Sequence, residues 1–182
     1  MTTAGCDRIP KPQRVKPAFW PLADPFPGPH AAPTGAAKDA ISHALSRMAY
    51  GPAPGDYCRV REMGVAAFLE EQLAPESIDD RSCEQRVRLC ETIVVPEREL
   101  FEYQDTLLLE ELTRATLLRA VYSHRQLFEV MVGFWNDHFN IDSSKGDCRW
   151  LKTMDDREVI RKHALGYFPD LLRAVVLSPA ML

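Results

Sequence analysis

Residues 123–141 read SHRQLFEVMVGFWNDHFNI, and this stretch decides the fold. Leu127, Phe128, Val130, Met131, Phe134, Trp135 and Phe139 put apolar side chains on most of a helix circumference, and a helix apolar all round belongs in the middle of a protein. Ser123 followed three residues later by Gln126 matches a capping box, so this helix is expected to begin at Ser123 and to turn away from the segment before it.

Working outward, Glu97 to Tyr122 is the longest periodic run. Phe101, Leu108, Leu112, Ala115, Leu118 and Tyr122 recur at helical spacing, and Glu97, Glu99, Glu102 and Asp105 sit where the positive end of a helix dipole favours anions, which predicts one long helix. Nearer the amino terminus, Ile41, Ala44, Leu45 and Met48 form a stripe that stops at Gly51 and Pro52. A second helix is expected from Gly55 or Asp56 with Val60 and Met63 inward, a break at Gly64, and a third helix over Val65 to Leu73 before Pro75. Downstream of residue 141 comes a polar loop, punctuated by Gly146. Thr153 or Asp155 is expected to cap a helix that runs to about Leu165 and stops at a left-handed Gly166. Pro169 suits the first turn of a last helix, whose apolar face is Leu171, Leu172, Val175 and Val176. With almost no strand-like alternation, the expected architecture is all-α: an irregular bundle of about six to eight helices over residues 38–182.

Residues 1–37 differ in kind. Eight of the 14 prolines lie in the first 33 residues, and proline fixes φ and removes a donor, so a Pro-rich extended arm is expected. It carries Phe19, Trp20, Leu22 and Phe26, which make it a candidate strap over its own domain or a docking segment for another chain. The whole chain of 182 residues is 46% hydrophobic and 26% charged with a net charge of −4, an ordinary globular balance that argues against nucleic acid or anionic lipid as the default partner. No signal-like or membrane-spanning apolar run is present, so a cytoplasmic location is expected. The cysteines, Cys6, Cys58, Cys83, Cys90 and Cys148, are odd in number and never spaced C-x-x-C, which reads as reduced thiols.

One polar cluster invites chemistry. His138 falls on the helical face of Leu127, Met131 and Phe134, so its ring is expected to point inward. His163 shares a face with Asp156, Val159 and Ile160. If the two helices pack, His138, His163, Asp137 and Glu158 are candidate ligands for a transition metal. The alternative is a buried polar network in which Asn136, Asn140, Arg157 and Arg161 join them, with Arg161 bridging Asp137 or Asn140. Neither H-E-x-x-H nor a Cys/His quartet supports the metal, and no phosphate-cradling, dinucleotide or nucleophile-elbow motif is found. A calcium loop on Asn140, Asp142 and Ser144 fails, because Lys145 would occupy its glycine position and Leu151 its glutamate position. No catalytic or cofactor-binding residue can be assigned from these patterns.

Taken together, several runs resemble a bacterial domain-of-unknown-function family, number 1800: ALSRMAYGPAPGD at 44–56, EMGVAAFLEEQLAP at 62–75, ELTRATLLRAVYSHRQLFEVMVGFWNDHFNI at 111–141, and REVIRKHALGYFPDLLRAVVLSPAML at 157–182. The F-W-x-x-H-F-N pattern falls on Phe134, Trp135, His138, Phe139 and Asn140. The I-R-x-H-A-L-G-x-F pattern falls on Ile160, Arg161, His163, Ala164, Leu165, Gly166 and Phe168. The resemblance implies no settled activity. It implies members that are often exported and that continue past the P-A-M-L motif, so the expectation is an amino-terminal portion whose complement is a missing carboxy-terminal half or another chain. Phe19, Trp20, Phe26, Leu172 and Val176 are the candidate contacts of a structural or interaction component. The alternative is a fragment of a metal- or haem-dependent oxidoreductase with His138 and His163 as ligands.

Overall fold

The computed structural model describes residues 39–182; Phe19, Trp20, Phe26, Cys6 and the Pro-rich stretch lie outside them. The fold is all-α, with no strand among the described residues. Three short helices open it: α1 (Ala40–Met48), α2 (Asp56–Met63) and α3 (Val65–Leu73). Asp39 caps α1 by accepting from the Ser42 amide at 3.3 Å. The break between α2 and α3 needs glycine, because Gly64 takes φ +86°, where a Cβ is strained. Ala44, Leu45, Met48, Val60 and Phe68 close the core of this part, with Leu127 against it.

The middle of the chain holds α4 (Arg81–Val87), α5 (Glu97–Leu100), α6 (Asp105–Tyr122) and α7 (Gln126–His138). The run from Glu97 to Tyr122 is therefore not one helix. It breaks over residues 101–104, where Phe101 turns out to 51% exposure and the Tyr103 carbonyl accepts from the Trp150 indole at 3.2 Å instead of from a helix amide. Asp105 restarts the helix and pairs with Arg149 at 2.6 Å. Leu100 and Leu108 enter the same core beside Met154, and their eight-residue spacing fits one continuous helix as well as it fits two.

Nor does a capping box open α7. The helix starts at Gln126, whose side-chain nitrogen donates to the carbonyl of Ser123 at 2.7 Å, while its Oε1 accepts from the Tyr50 amide at 3.1 Å and not from an amide of the cap. The corner is held by a distant residue: Asp80, before α4, accepts from the Ser123 hydroxyl and the His124 amide, both at 2.8 Å.

The last third is a rod of three consecutive stretches, α8 (Cys148–Met154), a π-helical segment (Asp155–Ile160) and α9 (Arg161–His163), followed by α10 (Phe168–Val176). Thr153 and Asp155 do not cap this rod; they lie inside it, 1% and 2% exposed. Gly166 is not left-handed. It closes the rod by donating its amide to the His163 carbonyl at 2.9 Å, and a Cβ there would stand 3.4 Å from that oxygen. On α10, Leu171 and Val175 join Val132, Val159, Ile160 and Ala164 in the core, whereas Leu172 and Val176 stay 40% and 57% exposed. Among the described residues no helix is long and apolar enough to cross a membrane.

Candidate functional site

The polar residues that do converge lie between α6, α7 and the rod. Glu129 sits on the inward face of α7, 6% exposed, and takes both guanidinium nitrogens of Arg161 at 3.0 and 2.5 Å. Arg161 also lies over the Phe128 ring, 5.1 Å from its centroid. Burial drags the Arg161 pKa down, but the charge and hydrogen bonds of Glu129 more than offset it and the net shift is upward. Arg119 of α6 feels the Glu129 charge but has no hydrogen bond to it. Burial, then the like charge of Arg161, pushes its pKa below the usual arginine range, and its Nη1 is buried without a partner among the described residues. Two turns further along α7, Asn136 donates to Asp156 at 2.7 Å, while Lys152 reaches the Asn136 amide oxygen at 3.5 Å.

Tyr50, from the loop after α1, closes the top of this network. Its hydroxyl donates to the Glu129 backbone carbonyl at 3.1 Å and rests 2.6 Å from where a Cβ on residue 133 would stand, so a side chain at Gly133 would displace it from that bond. Burial, then the Glu129 charge, raises the tyrosine pKa. Asp155, at the start of the π-helical segment, accepts from the buried Ser178 hydroxyl at 2.6 Å; burial raises its pKa in spite of that bond.

The expected ligand set does not assemble here. His138 and Asp137 are exposed, as is Asn140, and His163 is only half-buried. The inward expectation for His138 is corrected: it shares a face with Phe134, as its spacing requires, but that face looks outward, and the buried line of α7 passes through Glu129 and Val132 instead. Its ring stacks on Phe134 at 5.9 Å and meets Phe139 edge-on at 4.8 Å. Glu158 is bound to Arg157 at 2.8 Å and to Lys162, and the Lys162 hydrogen bond is the first cause of its lowered pKa. Arg157 donates to the carbonyls of Ile93 and Val95 at 3.1 and 2.7 Å, clamping the rod to the loop before α5. Arg161 bridges neither Asp137 nor Asn140; its partner is Glu129. Among the described residues no three His, Cys, Asp or Glu side chains come together as a metal site would need.

Arg119 and Tyr50 carry no mark of a site in the sequence, and Asp156 shows there only as a neighbour of His163 on its helical face. The one available signal was Glu129 itself, a lone acid inside an apolar run, where charge without a partner is costly enough to demand one. Cys83 is not poised as a nucleophile: it is 1% exposed and burial pushes its thiol up to about 11.

A second feature gathers on the outside. Trp135 donates its indole N–H to the Ala164 carbonyl at 3.0 Å, which fixes the ring between the end of α7 and the start of α10. Around it stand Phe134 edge-on at 4.8 Å, Phe139 stacked at 5.8 Å and Phe168 tilted at 5.8 Å. Phe168, Leu172 and Val176 follow at four-residue intervals along α10, so the aromatic group of α7 runs into an aliphatic stripe. Phe134 is 51% exposed and Phe168 50%. The two sequence patterns that carry histidines thus meet at a surface of rings. A concavity of about 920 Å3 lies elsewhere, lined by Tyr50 and Phe68 among others, and contains none of the expected site residues.

A family model described as "Protein of unknown function (DUF1800)" matches residues 43–182. No curated protein and no solved structure matches the chain.

Proposed function

The chain belongs to this family, DUF1800, and from that premise we propose that it is a structural or interaction component of a larger protein assembly, engaged through the ring-and-stripe surface of α7 and α10. One observation carries the reading. Phe134, Phe168, Leu172 and Val176 are each 40% exposed or more; the two rings both pack on Trp135, and Leu172 and Val176 continue from Phe168 along the same face of α10, a grouping of exposed apolar side chains that marks protein contacts. Trp135 at its centre is held rigid by its hydrogen bond, so little conformational entropy is lost when a partner covers it. The buried Glu129–Arg161 network serves as scaffold in this reading, locking α7 to the rod on which α10 is mounted.

Affinity purification of the full chain from its native cells, beside a Leu172→Glu/Val176→Glu variant, tests it. The expected result is a defined co-purifying chain whose binding falls by roughly a hundredfold in the variant while thermal stability is kept. Partner binding untouched by the double substitution defeats the proposal. So does stoichiometric metal or a Soret band in the purified protein that is lost on His138→Ala, which would replace it with the oxidoreductase reading.

A further inference from the structure

Among the described residues the outer face of α6 is a second unpartnered surface, remote in sequence from α10, and its pattern is self-complementary. Leu107, Glu110, Arg114, Leu117 and Val121 recur at spacings of three and four, the positions of a coiled-coil seam. All five point away from the core, which α6 meets through Leu108, Leu112, Ala115 and Leu118. Leu117 is 60% exposed and Val121 68%. Among the described residues neither Glu110 nor Arg114 has an ion-pair partner. A shallow trough of about 690 Å3 runs along this face, lined by Leu109, Glu110, Thr113, Arg114, Leu117 and Val121.

Two such helices laid antiparallel about a two-fold axis pair residues whose numbers add to a constant. The register that sets Glu110 against the partner's Arg114 also sets Leu107 against the partner's Leu117, and symmetry repeats both layers. Two apolar layers then flank two reciprocal ion pairs. The neighbouring register, four residues along in the sum, sets Arg114 against the partner's Arg114, so charge selects the first. From this we propose that the outer face of α6 binds a second copy of this chain as an antiparallel, isologous helix pair in that register. The contact is small, so the association belongs to the weak, roughly micromolar class. It does not rest on the α7–α10 reading and uses none of its residues.

Sedimentation of the full chain across a wide concentration range tests the proposal through charge reversal. Glu110→Arg alone and Arg114→Glu alone each set like charges together and should weaken dimerisation by about tenfold or more; Glu110→Arg/Arg114→Glu in one chain restores the reciprocal pairs and should restore the dimer. These are exposed positions on a stable helix, and the restoring double variant separates loss of pairing from loss of folding. A chain that stays monomeric at millimolar concentration overturns the proposal. A dimer indifferent to the single reversals overturns it too, as does one that the double variant fails to restore.

Discussion

In the first half of α7 a carboxylate, Glu129, is 6% exposed; in the second half a phenylalanine, Phe134, is 51% exposed. Simple hydrophobic sorting would have reversed them. Glu129 can be buried because Arg161 meets it with two hydrogen bonds and the Phe128 ring shields the pair from water. Phe134 is left out because the neighbouring side of α7 has already been filled by Val132 and the Trp135–Ala164 bond, which consume the contact with the rod. The pairing of a charge inside with rings outside teaches that burial along this helix follows the side and not the residue type: the face of Glu129, Val132 and Asn136 holds the rod, and the face of Phe134 and His138 is exposed.

The sharpest way to break that comparison is to remove the buried acid. Glu129→Ala leaves Arg161 buried beside Arg119 without its hydrogen-bonded carboxylate, only the more distant charge of Asp156 acting on both, and it should cost about 3–5 kcal/mol in urea denaturation. A change under 1 kcal/mol would mean that the pair is solvated and the two faces are alike. Arg157→Ala comes next. It strips donors from the carbonyls of Ile93 and Val95 and should cost about 1–3 kcal/mol, with faster amide exchange in the loop before α5 as the local sign.

Asp155 gives a pH-dependent effect of opposite sense to the usual carboxylate. Its pKa is raised in the folded state by burial, so the folded protein favours the protonated form, and stability falls as pH rises through that folded value. Asp155→Asn should therefore be more stable than the parent at neutral pH, and the gain should vanish below pH about 4, where the parent is protonated in both states. Denaturation at both pH values measures it; an equal gain at each would refute the assignment. The smallest effect is expected on the outer face of α7. Phe134→Ser and His138→Ala should each move stability by no more than about 0.5 kcal/mol, because little packing is lost at exposed positions. A loss of several kcal/mol from His138→Ala would restore the histidine to a buried network.

Local signals were read well where the chain's own chemistry decides the outcome. Gly64 separates α2 from α3 because only a residue without a Cβ takes that φ readily, and Pro169 lies in the first turn of α10, where its missing amide costs nothing. Misreadings occur where a distant partner decides. The turn at residues 101–104 depends on Trp150, the corner at Ser123 on Asp80, and the inner face of α7 on Arg161. None of these leaves a pattern near the residue it controls. The candidate site was legible only as a list of polar residues: Asn136 and Arg161 do enter the network, but His138 and Asp137 do not, since a helix period names which side chains share a face without naming which face is buried.

The amino-acid sequence by itself determined the all-α class, most helix ends marked by glycine or proline, and the family, because all three follow from spacing and residue type along a single strand of chain. Only the tertiary structure decided that α7 turns Glu129 inward and Phe134 outward, that a π-helical segment runs through Asp155, and that Leu172 and Val176 stay exposed among the described residues. Those outcomes are set by competition among surfaces and charges far apart in the chain, and burial goes to whichever pairing satisfies its polar groups while filling the space.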